Sequence, residues 1–389
     1  MQQHYEVAVL GLGAMGAATL YQLAKAGVKA VGIDRYAPPH TQGSSHGDTR
    51  ITRLSNGEGP QYLPLVQRSH QLWRELEALS GEPLFEQCGV LVMTSSPRYD
   101  PWDADDFTHR TIALAQAYGI DHEVLDASAI RQRFAQFAPV LDSAIGYFEP
   151  EGGYLRPERC IAVQLQQAAQ HGATLRVNET VTALENVGAA VRISTDQGTI
   201  LADKVIIAAG MWSAGLLGAP FDSLLRVCRQ VLYWFEIEDP GVFAAHSPSF
   251  ILTHGPGFTD VSYGFPPLPG EGSMKMATEQ YHQACDPAAL DRTVDDNQVQ
   301  AMYRTQVLDK IDGLRPAVTK SSVCTYTVTP DYHFIVDEHP RLRNVTVVSA
   351  CSGHGFKHSA ALGEALAQRC VQGASDIDLS AFSLQRFAN

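Results

Sequence analysis

Six residues near the start, Gly11-Leu12-Gly13-Ala14-Met15-Gly16, constrain this chain more than any others. They follow a β-rich apolar run at 5–10. They precede a run of helix formers at 17–26, apolar at Leu20 and Leu23, with Gly27 placed as a helix C-cap glycine would be. Residues 30–33 read as a second buried strand, ended by Asp34. In such a unit Gly11 permits the tight turn and Gly13 lets the backbone approach a pyrophosphate. Gly16 lets the helix pack closely on the strand. The helix N-terminus offers unpaired N–H groups and a positive dipole end to phosphates. A carboxylate at Asp34 can accept both hydroxyls of a ribose. Strand, helix and terminal acid together predict a dinucleotide-binding unit rather than a chance Gly-rich turn. The motif does not separate NAD from FAD.

The rest of the chain alternates elements. Residues 36–59 are rich in Pro, Gly, Ser, Thr and His and have no clear period; so long a loop in a compact domain is usually functional. Helices are predicted at 62–79 and from Arg156-Pro157-Glu158 to about 171. A hairpin pair is predicted at 181–184 and 191–194, and a buried strand at 203–209. The proline-rich middle, 216–320, suits an antiparallel sheet with crossing loops. A strand at 345–349 and a helix at 359–370 close the pattern, and there is no internal repeat.

With 45% hydrophobic and 18% charged residues, the 389-residue chain has material for a full core. Its formal net charge of −13 repels phosphate backbones and anionic lipid, so neither nucleic acid nor membrane is an expected partner. The seven cysteines form no C-x-x-C pair, which is free-thiol usage of a reducing compartment. The start at Met1 lacks a basic segment, and its apolar stretch is broken by Gly11, Gly13 and Gly16. With no apolar run of 18 residues, a cytoplasmic protein is expected.

Several constellations carry chemistry. The loop 40–53 sets Arg50 and Arg53 beside His46 and small residues. It reads either as an anion-binding loop near a cofactor or as a solvated surface loop. Cys324 taken alone reads as a small buried hydrophobe. Ser352-Gly353-His354-Gly355-Phe356-Lys357 precedes the last helix. Lys357 there reads as a carboxylate anchor or as a solvated lysine. Cys351, His354 and His358 have zinc-ligand spacing, but no second cluster completes a site, and no metal is expected. Lys275 is an isolated charge in an apolar strand, and the plain reading is a snorkelling surface lysine.

Taken together, the segments at 38–50 (PPHTQGSSHGDTR), 56–59 (NGEG), 263–266 (YGFP), 324–340 (CTYTVTPDYHFIVDEHP) and 352–357 (SGHGFK) are diagnostic. They resemble the monomeric sarcosine oxidase and N-methyltryptophan oxidase family, amine-oxidising flavoenzymes with the D-amino-acid-oxidase type of fold. The resemblance runs over nearly the whole chain. It implies FAD, bound covalently through the sulfur at Cys324, with His46 and Arg50 against the isoalloxazine ring. Ser45, Gly355 and Phe356 fall among the implied cofactor contacts, with Thr49 and Gly353 in the cavity walls. Asp34 would hold the adenosine ribose, and Val181 would meet the adenine through its backbone. Arg53 and Lys357 would clamp a substrate carboxylate, and Tyr263 would line the substrate cavity. Lys275 would lie close to the flavin and promote reaction with oxygen. A fixed cation lowers the cost of negative charge that develops on the cofactor. Guanidinium suits a planar carboxylate, and ammonium adds a point charge.

Three positions depart from the family pattern. Glu279 stands where the family has a cavity histidine, which disfavours an anionic substrate side chain and favours a cationic or hydroxyl-bearing one. Ser45-His46 replaces a histidine pair, and Asn56 replaces an aromatic.

The expected fold is α/β: a Rossmann-type FAD-binding domain gathering 1–85, 147–216 and 324–389, and a substrate domain with a mixed or antiparallel sheet gathering 86–146 and 217–323. The expected function is oxidation of the C–N bond of a small secondary amino acid, N-methyl or cyclic, by a monomer. It gives an imine that water hydrolyses, and oxygen is reduced to hydrogen peroxide. The alternatives are a flavin-dependent dehydrogenase using another acceptor, an NAD-dependent dehydrogenase, and a non-catalytic FAD-binding protein. Turnover with oxygen against a dye acceptor separates the first, absence of a yellow chromophore would revive the second, and any turnover on N-methyl amino acids excludes the third.

Overall fold

A computed structural model describes residues 3–95, 106–243, 246–255, 260–281 and 283–388. The opening strand, His4–Leu10, is buried from Val7 onward and has parallel neighbours on both sides, Ala30–Asp34 and Gly198–Ile207. The parallel core extends to Thr174–Val177 beyond one neighbour and Val345–Ser349 beyond the other. Parallel strands buried on both faces read as continuous apolar runs, which is why 30–33 and 345–349 are legible in sequence. The hairpin Val181–Val187 and Ala190–Thr195 adds antiparallel strands at the edge.

Four helices cover one face: Ala14–Lys25, Leu63–Ser80, Pro157–Gln170 and Ser359–Gln372, with Leu20, Trp73, Ile161 and Leu362 in one apolar core. Pro157 opens its helix at the first turn, where a missing N–H loses nothing. Gly81 and Gly373 close theirs in the left-handed conformation.

The second sheet runs in the order Leu314–Val328, Arg226–Ile237, Ser273–Thr278, Val261–Gly264, Ser249–Thr253, Val90–Thr94, Ile145–Glu149, Glu123–Asp126. Every pairing is antiparallel except Ser249–Thr253 with Val90–Thr94, so the sheet is mixed. Both arrangements agree with the α/β expectation. The long loop differs in one respect: Arg50–Thr52 is a strand, paired with Gly153–Leu155 in a small third sheet. Its partner lies about a hundred residues away, so no local pattern announces it. The helices Phe107–Tyr118, Ala127–Arg133 and Asp296–Met302 were also not anticipated.

Candidate active site

The turn behaves as the fingerprint requires. Gly11 has φ +88°, and a Cβ there would lie 2.5 Å from the Ala208 carbonyl oxygen; a Cβ on Gly16 would lie 1.7 Å from the Gly11 oxygen. Gly13 caps the helix Ala14–Lys25 without a side-chain hydrogen bond, and the first turn carries no acid. Ala14 N donates to Ser45 Oγ at 3.3 Å, and the rest of the dipole's positive end is left for a ligand. Asp34 accepts from Leu12 N at 2.7 Å and Tyr36 N at 2.8 Å, which fixes its carboxylate at the strand end.

A cavity of about 630 Å³ runs over this turn, within the size range of cofactor sites. Gly11, Gly13, Asp34, Ser45 and Val181 line one part of it, and Arg50, Tyr326, Gly353, Gly355 and Phe356 another. A second cavity of about 90 Å³ shares Arg50, Tyr326, Gly353 and Phe356 with the first. It is lined further by Arg53, Glu58, Tyr263, Glu279, Tyr281, Cys324, His354 and Lys357. Gly16, His46, Thr49 and Lys275 line neither cavity and lie behind the walls.

The walls are set by hydrogen bonds of charged side chains, most of them to backbone groups. Arg50 donates to the carbonyls of Ser44 (2.7 Å) and Thr49 (2.8 Å). Glu158, in the first turn of its helix, accepts from Gly47 N at 2.5 Å and Asp48 N at 3.2 Å. Glu149 accepts from Leu54 N (2.6 Å), Ser55 N (3.1 Å) and the Tyr147 hydroxyl (2.6 Å). Arg292 donates to the carbonyls of Thr41 (3.0 Å) and Gln42 (2.7 Å). These contacts hold a loop that has little regular pairing of its own.

Lys275 is 4% exposed, so it does not snorkel. Its ammonium donates to the carbonyls of Gly47 (2.6 Å) and Thr49 (2.9 Å) and to the Thr49 hydroxyl (3.2 Å). Burial, and then Arg50, push its pKa well below that of an ordinary lysine. Burial, with Arg50 and Lys275 behind it, also lowers His46 to about 3, so its ring is neutral. Cys324 is 1% exposed and lines the smaller cavity. Burial pushes its thiol up, and Arg50 and Lys275 pull it back.

Arg53 and Lys357 are buried too, so Lys357 is not a solvated lysine. Both reach one carboxylate: Arg53 Nη2 lies 3.4 Å from Glu58 Oε2, and Lys357 Nζ lies 3.5 Å from Glu58 Oε1. Burial opposes charge on Glu58, but Lys357 and Arg53 hold its carboxyl far below the usual range. Burial lowers Lys357 to about 8, against the pull of Glu58. Two cations and one anion leave a net charge of +1, room for one ligand carboxylate. Glu58 was missed as a functional residue. Its signal was an acid between Gly57 and Gly59, five residues after Arg53, in a segment valued only for its resemblance. Tyr326, within 324–340, was missed in the same way, and Tyr281 falls in no segment singled out in the sequence.

His354 and His358 pack on Tyr62 and Phe334, and His354 Nε2 lies 3.1 Å from the Tyr332 carbonyl. Among the described residues no helix is long and apolar enough to cross a membrane.

The resemblance read from the sequence is borne out. The chain is 37% identical over 391 residues to monomeric sarcosine oxidase of Bacillus sp. (strain NS-129), covering 100% of this chain and 98% of that protein. It is 35% identical over 390 residues to N-methyl-L-tryptophan oxidase of Yersinia pestis (strain Pestoides F), covering 98% and 99%. The solved structure of NikD, an unusual amino acid oxidase essential for nikkomycin biosynthesis, matches with a TM-score of 0.83 at 24% identity, covering 98% of this chain and 97% of that one, which shows likeness of fold. Residues 6–369 match the family described as DAO, FAD dependent oxidoreductase, and to that family this chain belongs.

Proposed function

We propose that this protein oxidises the C–N bond of a small secondary amino acid, N-methyl or cyclic. The imine is then hydrolysed by water, and oxygen is reduced to hydrogen peroxide. The observation that carries the reading is the pair of adjoining cavities, one of dinucleotide size over the glycine turn and one small, holding the Arg53–Glu58–Lys357 cluster of net charge +1. FAD, when bound, supplies the two-electron acceptor. The uncapped helix end at Gly13 suits its pyrophosphate, Asp34 its ribose, and Val181 its adenine.

The remaining roles belong to the protein's own groups. Arg53 and Lys357 bind the substrate carboxylate beside Glu58, and Tyr263 closes the small cavity. The 90 Å³ space admits a compact side chain and little water. Glu279 in that wall disfavours an anionic side chain. Arg50 and His46 support the cofactor face, and Cys324 is the covalent attachment point. Lys275 holds its proton more weakly than an ordinary lysine; negative charge developing nearby strengthens that hold, and the ammonium stabilises the charge. We further propose a monomer of two domains, with 1–85, 147–216 and 324–389 forming the cofactor domain and the rest the substrate domain. A cytoplasmic location without nucleic-acid or membrane partners accords with the charge of −13.

The test is an absorption spectrum before and after acid precipitation, followed by anaerobic mixing with N-methyl and cyclic amino acids and a peroxide assay in air. A yellow pellet, bleaching by a secondary amino acid and peroxide in air are expected. A flavin-loaded protein that no secondary amino acid bleaches refutes the proposal.

A further inference from the structure

The smaller cavity contains a carboxyl group that the proposed carboxylate clamp does not use. Glu279 directly follows the strand Ser273–Thr278 and lines the cavity. Its Oε2 accepts from the Tyr281 hydroxyl at 3.1 Å, and among the described residues no cation lies within ion-pair distance of it. Glu58 in the same cavity is by contrast shared by two cations. A carboxyl without a cation beside it either holds a proton or meets a ligand that brings positive charge.

The reaction proposed above provides such a charge and also requires its removal. A secondary amino acid enters as an ammonium ion, because alkyl amines have pKa values of roughly 10. The α-carbon can give up its hydrogen with two electrons only when the nitrogen lone pair is free to form the C=N bond. One N–H bond must therefore break first, and an acceptor must lie in the cavity. We propose that Glu279, oriented by Tyr281, takes this proton from the bound substrate: the N–H bond breaks, an O–H bond forms on the carboxylate, and the nitrogen keeps the electron pair. The inference rests on the secondary-amine reading.

The other groups facing the cavity are poorer acceptors. Glu58 is held ionised by Arg53 and Lys357 and far below the usual carboxylate range. Arg50 and Arg53 carry no lone pair to offer. Lys357, at about 8, keeps its proton at neutral pH. Tyr263 and Tyr326 are pushed upward by burial and stay neutral phenols. His354 is lowered to about 3 by burial and has little affinity for a proton. Burial raises Glu279 to about 7, with Glu58 adding to the rise and Tyr281, Arg53 and Lys357 opposing it. Its proton affinity thus lies near neutral pH, where general bases act best.

The test is anaerobic bleaching of the flavin-loaded enzyme by N-methylglycine between pH 6 and pH 10, for the parent, Glu279→Gln and Glu279→Asp. The second-order rate for the parent should rise to a plateau just above neutral pH. Glu279→Gln must rely on the free amine in solution, so its rate should climb tenfold per pH unit toward the amine's own pKa. Its deficit should be about tenfold or more at pH 7.5 and no more than a few-fold by pH 10. Glu279→Asp should restore the plateau. An unchanged profile, or a loss equal at every pH, overturns the proposal. So does a loss confined to amino acids with basic side chains, which assigns Glu279 to side-chain recognition. Bleaching of the Gln variant at pH 10 shows that it is folded and loaded. If the parent is bleached by no N-methyl amino acid, the function proposed above fails, whatever the variants do.

Discussion

Replacing Glu58 with Gln keeps its shape and removes the charge that Arg53 and Lys357 share. Their side chains are 3% and 4% exposed, and that of Glu58 is 9%, so water screens little of the change. Breaking a buried ion pair by removing one partner typically costs about 3–5 kcal/mol, because the other charge stays buried. Here two cations are stranded, while the desolvation of one carboxylate is relieved. A loss near the lower bound, about 3 kcal/mol, is expected. A ligand carboxylate then meets a charge of +2 instead of +1. At pH 6, where Lys357 keeps its proton, an amine-free acid such as methoxyacetate should bind at least tenfold tighter, a gain of about 1.4 kcal/mol. The assay is urea unfolding of the flavin-loaded protein with and without methoxyacetate, with a titration of the flavin spectrum. The variant should be less stable alone and gain more from the ligand, since binding to the folded state adds directly to stability. A variant as stable as its parent, or one that binds methoxyacetate more weakly, refutes the charge argument: Glu58 would then organise the cations rather than neutralise them.

Three further outcomes are expected. Cys324→Ser should release all flavin into the supernatant on acid precipitation while the protein stays folded, since one buried sulfur is exchanged for a small hydroxyl; a yellow pellet assigns the link elsewhere. Lys275→Met should be bleached anaerobically at close to the parent rate yet reoxidise slowly in air, and equal reoxidation sinks the role given to Lys275. It should also lose roughly 1–3 kcal/mol per carbonyl left without a donor at Gly47 and Thr49, read by urea unfolding. Stability should fall as pH drops from 7 to 5. Burial lowers His46 and His354 to about 3 and His70 to about 4, so in this window the unfolded chain binds more protons at each. Glu149 and Glu279, raised by burial, oppose this with one proton each at most, so the urea midpoint should be lower at pH 5, and a higher one overturns the sign.

What could be read from the sequence was whatever is encoded locally. The glycine turn, the strands around it and the helix begun at Pro157 each carry their own period and caps within a dozen residues. The helix Phe107–Tyr118 has its caps, Asp106 and Gly119, but a weak period: after Phe107 its buried positions are Thr108, Thr111 and Ala115, too small or polar to form an apolar stripe. The cofactor-side residues were legible through a motif. The charge balance of the small cavity was not, because it is made by contacts that no spacing predicts. Glu58 meets Lys357 across about three hundred residues, and Glu149 fixes Leu54 and Ser55 from nearly a hundred away. The same distance explains why Lys275 and Lys357 looked like surface lysines. A lysine's environment is set by what the fold brings to it: carbonyls of the 47–49 turn in one case, Glu58 in the other. Both sites are lined by the loop 36–59, and that loop is held by Glu158, Glu149 and Arg292 and by the short pairing of Arg50–Thr52 with Gly153–Leu155. On the function proposed above, substrate choice would turn on the carboxylates Glu58 and Glu279, which line the small cavity and not the dinucleotide turn.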